Sequence, residues 1–269
     1  MNRVQGGKTE QVAQHAPADT LFPDPVRILN PSGEGPFVLA CEHASNLVPP
    51  SLRGLGLDPA DLADHIAWDI GAAALTEKLS AKLDAPAVLA GYSRLLYDCN
   101  RAPDAPDCIP ARADGRIVTG NEHLDATCRR QRREGLYEPF HAALDEILGR
   151  RGPGTALITI HSFTPRMRSG PRRDLHAGII FDGENPFARR LAQQIAAHEG
   201  IICRINEPYA ASDGVTHTLR RHGAGRGLRH AMIEIRNDLL RSETNLSHWA
   251  DILHRSVQKS VQETTPETG

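Results

Sequence analysis

LITIHSFTP, residues 157–165, sets Leu157, Ile158, Thr159 and Ile160 directly ahead of a histidine, then breaks into Ser162, Phe163, Thr164 and Pro165. A short apolar run rich in β-branched side chains and bounded by turn residues reads as a strand covered on both faces, the habit of a parallel sheet. The same pattern recurs outward in both directions. PFVLA (36–40) runs into Cys41, Glu42 and His43, and further strands are expected at 87–90, 93–97, HAGIIFD (176–182), IICRI (201–205) and AMIEI (231–235). Helical stretches separate them. Asp58 and Pro59 open one, a second covers about 68–83, and an amphipathic stretch over 121–149 is bent at Pro139. Asn185 and Pro186 open another, with Phe187, Leu191 and Ile195 on one face and Gly200 as its stop, and a last helix covers about 246–262. Alternating strands and helices predict a three-layer α/β/α domain with a mostly parallel mixed sheet over 21–262, between polar tails at 1–20 and 263–269. Residues 101–120, rich in Pro, Asp and Gly, carry no expected element, and a connection that long is commonly a lid.

Composition narrows the function. The chain has 269 residues, 40% hydrophobic and 24% charged, with a net charge of −2, so it lacks the basic excess of a nucleic-acid binder. Five cysteines without a CxxC pair argue against a disulfide scaffold and suit a reducing, cytoplasmic setting. No apolar run approaches the roughly 18 residues of a membrane span. Arg129, Arg130, Arg132 and Arg133 read as a solvated helix face; a second basic cluster, Arg166, Arg168, Arg172 and Arg173, directly follows the 157–165 stretch.

Open α/β sheets build ligand sites outside the carboxyl ends of their strands. The polar residues expected there are His43, Asp98 with Asn100, His161, Asp182 and Glu234. Each histidine alone reads as a strand cap, but two of them with carboxylates along one edge make a zinc-type ligand set. Glu234 lies within Met232, Ile233 and Ile235, where an unpaired charge is costly. Either it braces the sheet against Arg94 or Arg236, or it is a low-dielectric base beside a metal site.

Six motifs in order, CEHASN (41–46), HIAWDIG (65–71), YSRLLYDCNR (92–101), TIHSFTP (159–165), GVTHTLRRHG (214–223) and MIEIRNDLL (232–240), resemble the N-formylglutamate amidohydrolase family over roughly 36–255. The resemblance implies a zinc hydrolase with a fold akin to zinc carboxypeptidases and amidases, holding one Zn2+ per chain. It implies His43 and His161 as metal ligands and Glu234 as the catalytic carboxylate. For the third ligand it favours Asp69, with His65 as second choice; Asn46 holds the position that carboxypeptidases fill with Glu. It further implies His222 or His217 as an oxyanion donor, and Arg94, Arg101 and one arginine of the 166–173 loop, Arg166 first, as carboxylate clamps. Asn100 would join the substrate contacts, with Asp98, Glu42 and His65 as supports behind the ligands. The implied substrate is a small anionic N-acyl amino acid, first of all N-formyl-L-glutamate. The rival expectations are another N-acyl amino acid or peptide-like amide, and a metal-free sensor of an anionic amino-acid derivative; the oligomeric state is left open.

Overall fold

The computed structural model of the protein describes residues 21–103 and 105–262. The expected tails at 1–20 and 263–269 lie outside the described residues. The strands are β1 (Val26–Leu29), β2 (Phe37–Cys41), β3 (Ala87–Ala90), β4 (Arg112–Ala113), β5 (Arg116–Ile117), β6 (Ala156–Phe163), β7 (Ala177–Ile180), β8 (Cys203–Ile205) and β9 (Arg229–Arg236). The helices are α1 (Pro59–Leu62), α2 (Ala72–Leu83), α3 (Ala126–Arg132), α4 (Glu138–Gly149), α5 (Pro186–Ala196) and α6 (Glu243–Gln262).

Among the described residues, seven strands form one sheet in the order β1-β3-β2-β6-β9-β7-β8. The inner pairs β3–β2, β2–β6 and β6–β9 are parallel, as is β7–β8; β1–β3 and β9–β7 are antiparallel. Successive side chains alternate between the faces. Leu39, Cys41, Ile158, Ile160, Ile233 and Ile235 pack with Leu75 and Leu79 of α2, Leu191 and Ile195 of α5, and Trp249 and Leu253 of α6. Val38, Ala40, Leu157 and Met232 face Phe140, Leu144 and Leu148 of α4 on the opposite side. Helices on both faces explain why these strands read as unbroken apolar runs. A third apolar cluster, from Leu95, Leu96 and Tyr97 to Ile109, Val118, Leu136 and Tyr137, caps the carboxyl ends of the inner strands.

Several boundaries differ from expectation. β6 does not stop at His161 but pairs with β9 through Phe163, setting His161 opposite Glu234 and Phe163 opposite Arg236. Residues 93–97 form a turn, with Leu96 N bonded to Ser93 O and Ser93 N to Leu47 O; their apolar side chains serve the capping cluster instead of the sheet. The 101–120 connection contains the β4–β5 hairpin, whose Asp114-Gly115 tip has φ of 42° and 78°, the conformation that an Asp-Gly pair accepts in a two-residue turn. α2 begins at Ala72 rather than near 68, because Gly71, at φ 87° and against Leu240, turns the chain first. α6 starts at Glu243, three residues before the expected 246. α3 and α4 join through a wide helical turn at Arg133–Tyr137, and Arg132, expected on a solvated face, is buried and donates to Asn121 Oδ1 at 2.7 Å.

Candidate metal centre and its cavity

β2, β6 and the turn before α2 converge at one sheet edge. His43 follows β2 directly, and its carbonyl accepts the Asp69 backbone N–H at 2.9 Å, which draws the 63–71 segment across the strand end. Asp69 Oδ2 lies 2.9 Å from His161 Nδ1 and 3.3 Å from His43 Nδ1, and also accepts the Ser162 N–H at 3.2 Å. One ligand atom from each of His43, Asp69 and His161 lies within 4.8 Å of the others, and all three residues are buried. Two nitrogens and one oxygen at this spacing suit a tetrahedral site that keeps a fourth position for solvent or substrate.

The outer faces of both imidazoles are occupied by carboxylates. His43 Nε2 is 2.7 Å from Asp98 Oδ1, and His161 Nε2 is 3.1 Å from Glu42 Oε2. With a metal bound, a carboxylate behind each ring would favour the proton on Nε2 and leave Nδ1 free to face the shared centre, as ligand histidines require. Arg94 ties the assembly together, donating to Asp98 Oδ2 at 3.0 Å and to Asp69 Oδ1 at 3.4 Å.

The charges of this cluster do not balance by themselves. Glu42, Asp69, Asp98 and Glu234 are all buried, and Arg94 pairs with only Asp69 and Asp98 of the four. Burial opposes protonation of His161, yet the Glu42 and Asp69 carboxylates outweigh it and hold the ring's pKa well above 6.5. Burial likewise works against the Asp98 carboxylate, but His43 and Arg94 keep its pKa well below 3.8. Protons on the imidazoles therefore supply positive charge that a divalent cation would supply better, since each ring could then offer a lone pair. Glu234 is different. Burial lifts its pKa from 4.5 to about 7, and its Oε2 is buried without a hydrogen-bond partner among the described residues. Gly178 lies beside it in register, and a Cβ there would sit 1.9 Å from Glu207 O, so only glycine lets the 203–209 segment pass this close to the site.

A cavity of 410 Å³ opens over the cluster, lined by His43, Asp69, His161 and Glu234 at its floor. Its walls are Arg94, Asn100 and Arg101 from the turn after β3, Arg112 and Asp114 from the hairpin, and Tyr209 from the loop after β8. The sequence model for N-formylglutamate amidohydrolase matches residues 35–241, a span that contains every residue of this site. The chain belongs to the N-formylglutamate amidohydrolase family. It is accordingly an amide hydrolase, and the family and the site together support an N-acyl amino acid amidohydrolase. A gene product of Agrobacterium tumefaciens of known structure is 37% identical, with a TM-score of 0.86, and the alignment covers 90% of this chain and 98% of that one. The N-formylglutamate amidohydrolase of Ralstonia eutropha JMP134 shares the fold, with a TM-score of 0.61 at 17% identity over 89% of this chain and 97% of that one. No curated protein matches the chain. No described helix is long and apolar enough to cross a membrane.

The structure gathers His43, Asp69, His161 and Glu234, sets Asp98 and Glu42 behind the histidines, and lines the cavity with Arg94, Asn100 and Arg101. Asn100 also clips the chain, accepting Thr218 N at 3.1 Å and donating to Val215 O at 2.5 Å. His65 stands on the far wall, paired with Asp64 at 2.9 Å and outside the His-Asp-His group, and Asn46 turns away to donate to Leu62 O. Arg166 faces an adjoining cleft and donates to Gly170 O; Met167 lines the cavity in its place. Asp182 is held by Thr216 and Arg220. The histidines expected as oxyanion donors do not reach the cavity. His217 Nε2 is hydrogen-bonded to Tyr137 OH at 2.8 Å, and His222 is fully buried with Nε2 2.7 Å from His141 Nδ1. Tyr209, which no motif singled out, borders the cavity under the Arg173 guanidinium, 5.2 Å from its ring centroid.

The buried histidine pair carries a prediction of its own. His141 donates from Nε2 to Cys99 O at 2.9 Å, so its Nδ1 must stay unprotonated to accept from His222. Burial, then the neighbouring His222, lowers its pKa from 6.5 to about 3. Because the unfolded chain takes up this proton first, the contribution of His141 is complete above about pH 6.5 and is lost as pH falls towards the folded value. Between pH 6.5 and 5 the loss is about 2 kcal/mol. Urea midpoints at both pH values should therefore fall more for the wild type than for His141→Phe. An equal fall would show that the pair does not stay neutral.

Proposed function

We propose that the chain is a zinc-dependent deformylase of N-formyl amino acids with an acidic side chain, N-formyl-L-glutamate first among them. The observation that carries the reading is the buried Glu234 carboxylate, its Oε2 without a partner among the described residues, set with the His43–Asp69–His161 group at the floor of a cavity of substrate size. Zinc held by those three residues would supply a Lewis acid able to polarise an amide carbonyl and acidify water. The protein's own groups do the rest. Glu234 accepts a proton from the attacking water and delivers it to the departing nitrogen as the C–N bond breaks, which leaves formate and the free amino acid. Asp98 and Glu42 keep each imidazole in the Nε2–H tautomer, and Arg94 fixes Asp69 and Asp98 at once. Arg101, on the wall of the same cavity and held by Asp107 at 2.7 Å, would take the α-carboxylate next to the scissile amide.

Protein purified without chelators should carry close to one zinc per chain and release formate from N-formyl-L-glutamate faster than from N-formyl-L-methionine or N-acetyl-L-glutamate. Removing the metal should abolish release and adding zinc should restore it. Less than half an equivalent of metal, or turnover untouched by chelation, would overturn the reading.

A further inference from the structure

The β4–β5 hairpin lines the cavity with Arg112, Ala113 and Asp114 and is firmly held. Both carboxylate oxygens of Asp114, at its tip, accept the Arg168 backbone N–H, at 3.1 and 3.0 Å, and Oδ2 is 3.3 Å from His65 Nε2. At its base, Asn121 Nδ2 donates to Pro110 O and to Leu95 O, each at 2.7 Å, and Val118 N bonds Ala111 O at 3.0 Å. A side chain carried on so well-anchored an element is prepositioned. That side chain is Arg112, which lines the cavity from the hairpin.

The three arginines that line the cavity differ in what they already hold. Arg94 spans the Asp69 and Asp98 carboxylates. Arg101 holds Asp107 and the carbonyls of Asn100 and Gly214. Arg112 has no carboxylate partner among the described residues. Asp107 and Asp213 also border the opening, so an anionic side chain entering here is repelled by both rim acids, and Arg112 offers the uncommitted attraction. The α-carboxylate of an N-acyl amino acid is bonded to the carbon that bears the scissile nitrogen, which keeps it near the floor and the 94–101 turn. A side-chain carboxylate reaches outward, towards the hairpin.

We propose that Arg112 is a specificity-determining residue whose guanidinium takes the distal carboxylate of an N-acyl acidic amino acid. This rests on the deformylase reading above and deepens it. The test compares kcat/KM of the zinc-loaded enzyme for N-formyl-L-glutamate with that for N-formyl-L-glutamine, which has the same shape without the charge. Arg112→Gln should lower the Glu-to-Gln ratio by about 10- to 100-fold, chiefly through KM, the range expected for losing a charge-assisted contact. Arg112→Lys should restore part of it. Calorimetric binding of N-formyl-L-glutamate to the Glu234→Gln protein should weaken to a similar extent when Arg112→Gln is added. An active wild type with the ratio unchanged in Arg112→Gln would overturn the assignment, as would an equal loss for both substrates, since the residue would then be shaping the hairpin and not reading charge. A wild type inactive on every N-formyl amino acid would bring down the deformylase reading, and this assignment with it.

Discussion

Glutamine at position 234 should lower kcat by about 10³-fold while leaving the metal content at the wild-type level, because a positioned general base contributes on the order of 10²–10⁴. The substitution keeps size and shape in a side chain that is 4% exposed, so repacking would not explain the loss. It should also stabilise the protein. A buried carboxylate whose Oε2 has no hydrogen-bond partner among the described residues is held against its desolvation cost, and a neutral amide relieves part of it, by about 1–3 kcal/mol. Slower turnover with a higher melting temperature is the mark of a group kept for chemistry at the expense of stability. Near-wild-type rates would remove the base assignment, and loss of zinc would make Glu234 a ligand instead.

The pairing behind that prediction was half visible in the sequence. Apolar runs at 36–40, 157–160 and 231–235 locate three buried strands, and the polar residues that follow or interrupt them are chemically conspicuous. That β6 and β9 pair in the register that sets His161 opposite Glu234 is a long-range fact, which periodicity within either strand does not contain. Local signals also misled where two structures share one pattern. SRLLY over 93–97 has the composition of a strand, yet the same apolar side chains fill the cap over the strand ends while Arg94 and Asp98 turn to the ligands. THTLRRHG runs into a wide helical turn over Leu219–Gly223, where each residue rotates the side-chain direction around the axis. Whether its histidines face the cavity or the back of the sheet is decided by that rotation, and here His222 goes to His141. The Asp-Gly pair at 114–115 was a legible hairpin signal, obscured by the prolines around it. Arg112 and Tyr209 had no such signal, since a cavity wall is assembled from segments that meet only once the chain has folded.

Removing the His161 ring should have the largest effect, for two separable reasons. His161→Ala deletes one of the two nitrogen donors of the His-Asp-His group, so bound zinc should fall below half an equivalent and formate release should drop to background. It also strands Glu42, whose side chain is 0% exposed and whose Oε2 lies 3.1 Å from the lost ring. A buried charge left without its partner costs about 3–5 kcal/mol, a large share of the stability of an ordinary domain. The single variant should therefore melt well below the wild type, and lost activity by itself would not distinguish a ligand from a brace. Adding Glu42→Gln separates the two roles. The double variant removes the stranded charge and should recover most of the melting temperature, yet it still lacks the Nδ1 donor and should bind no zinc. Recovery of both stability and metal would mean that His161 serves only to neutralise Glu42. Recovery of stability without metal would leave its imidazole the ligand role that the 2.9 Å approach of Nδ1 to Asp69 suggests.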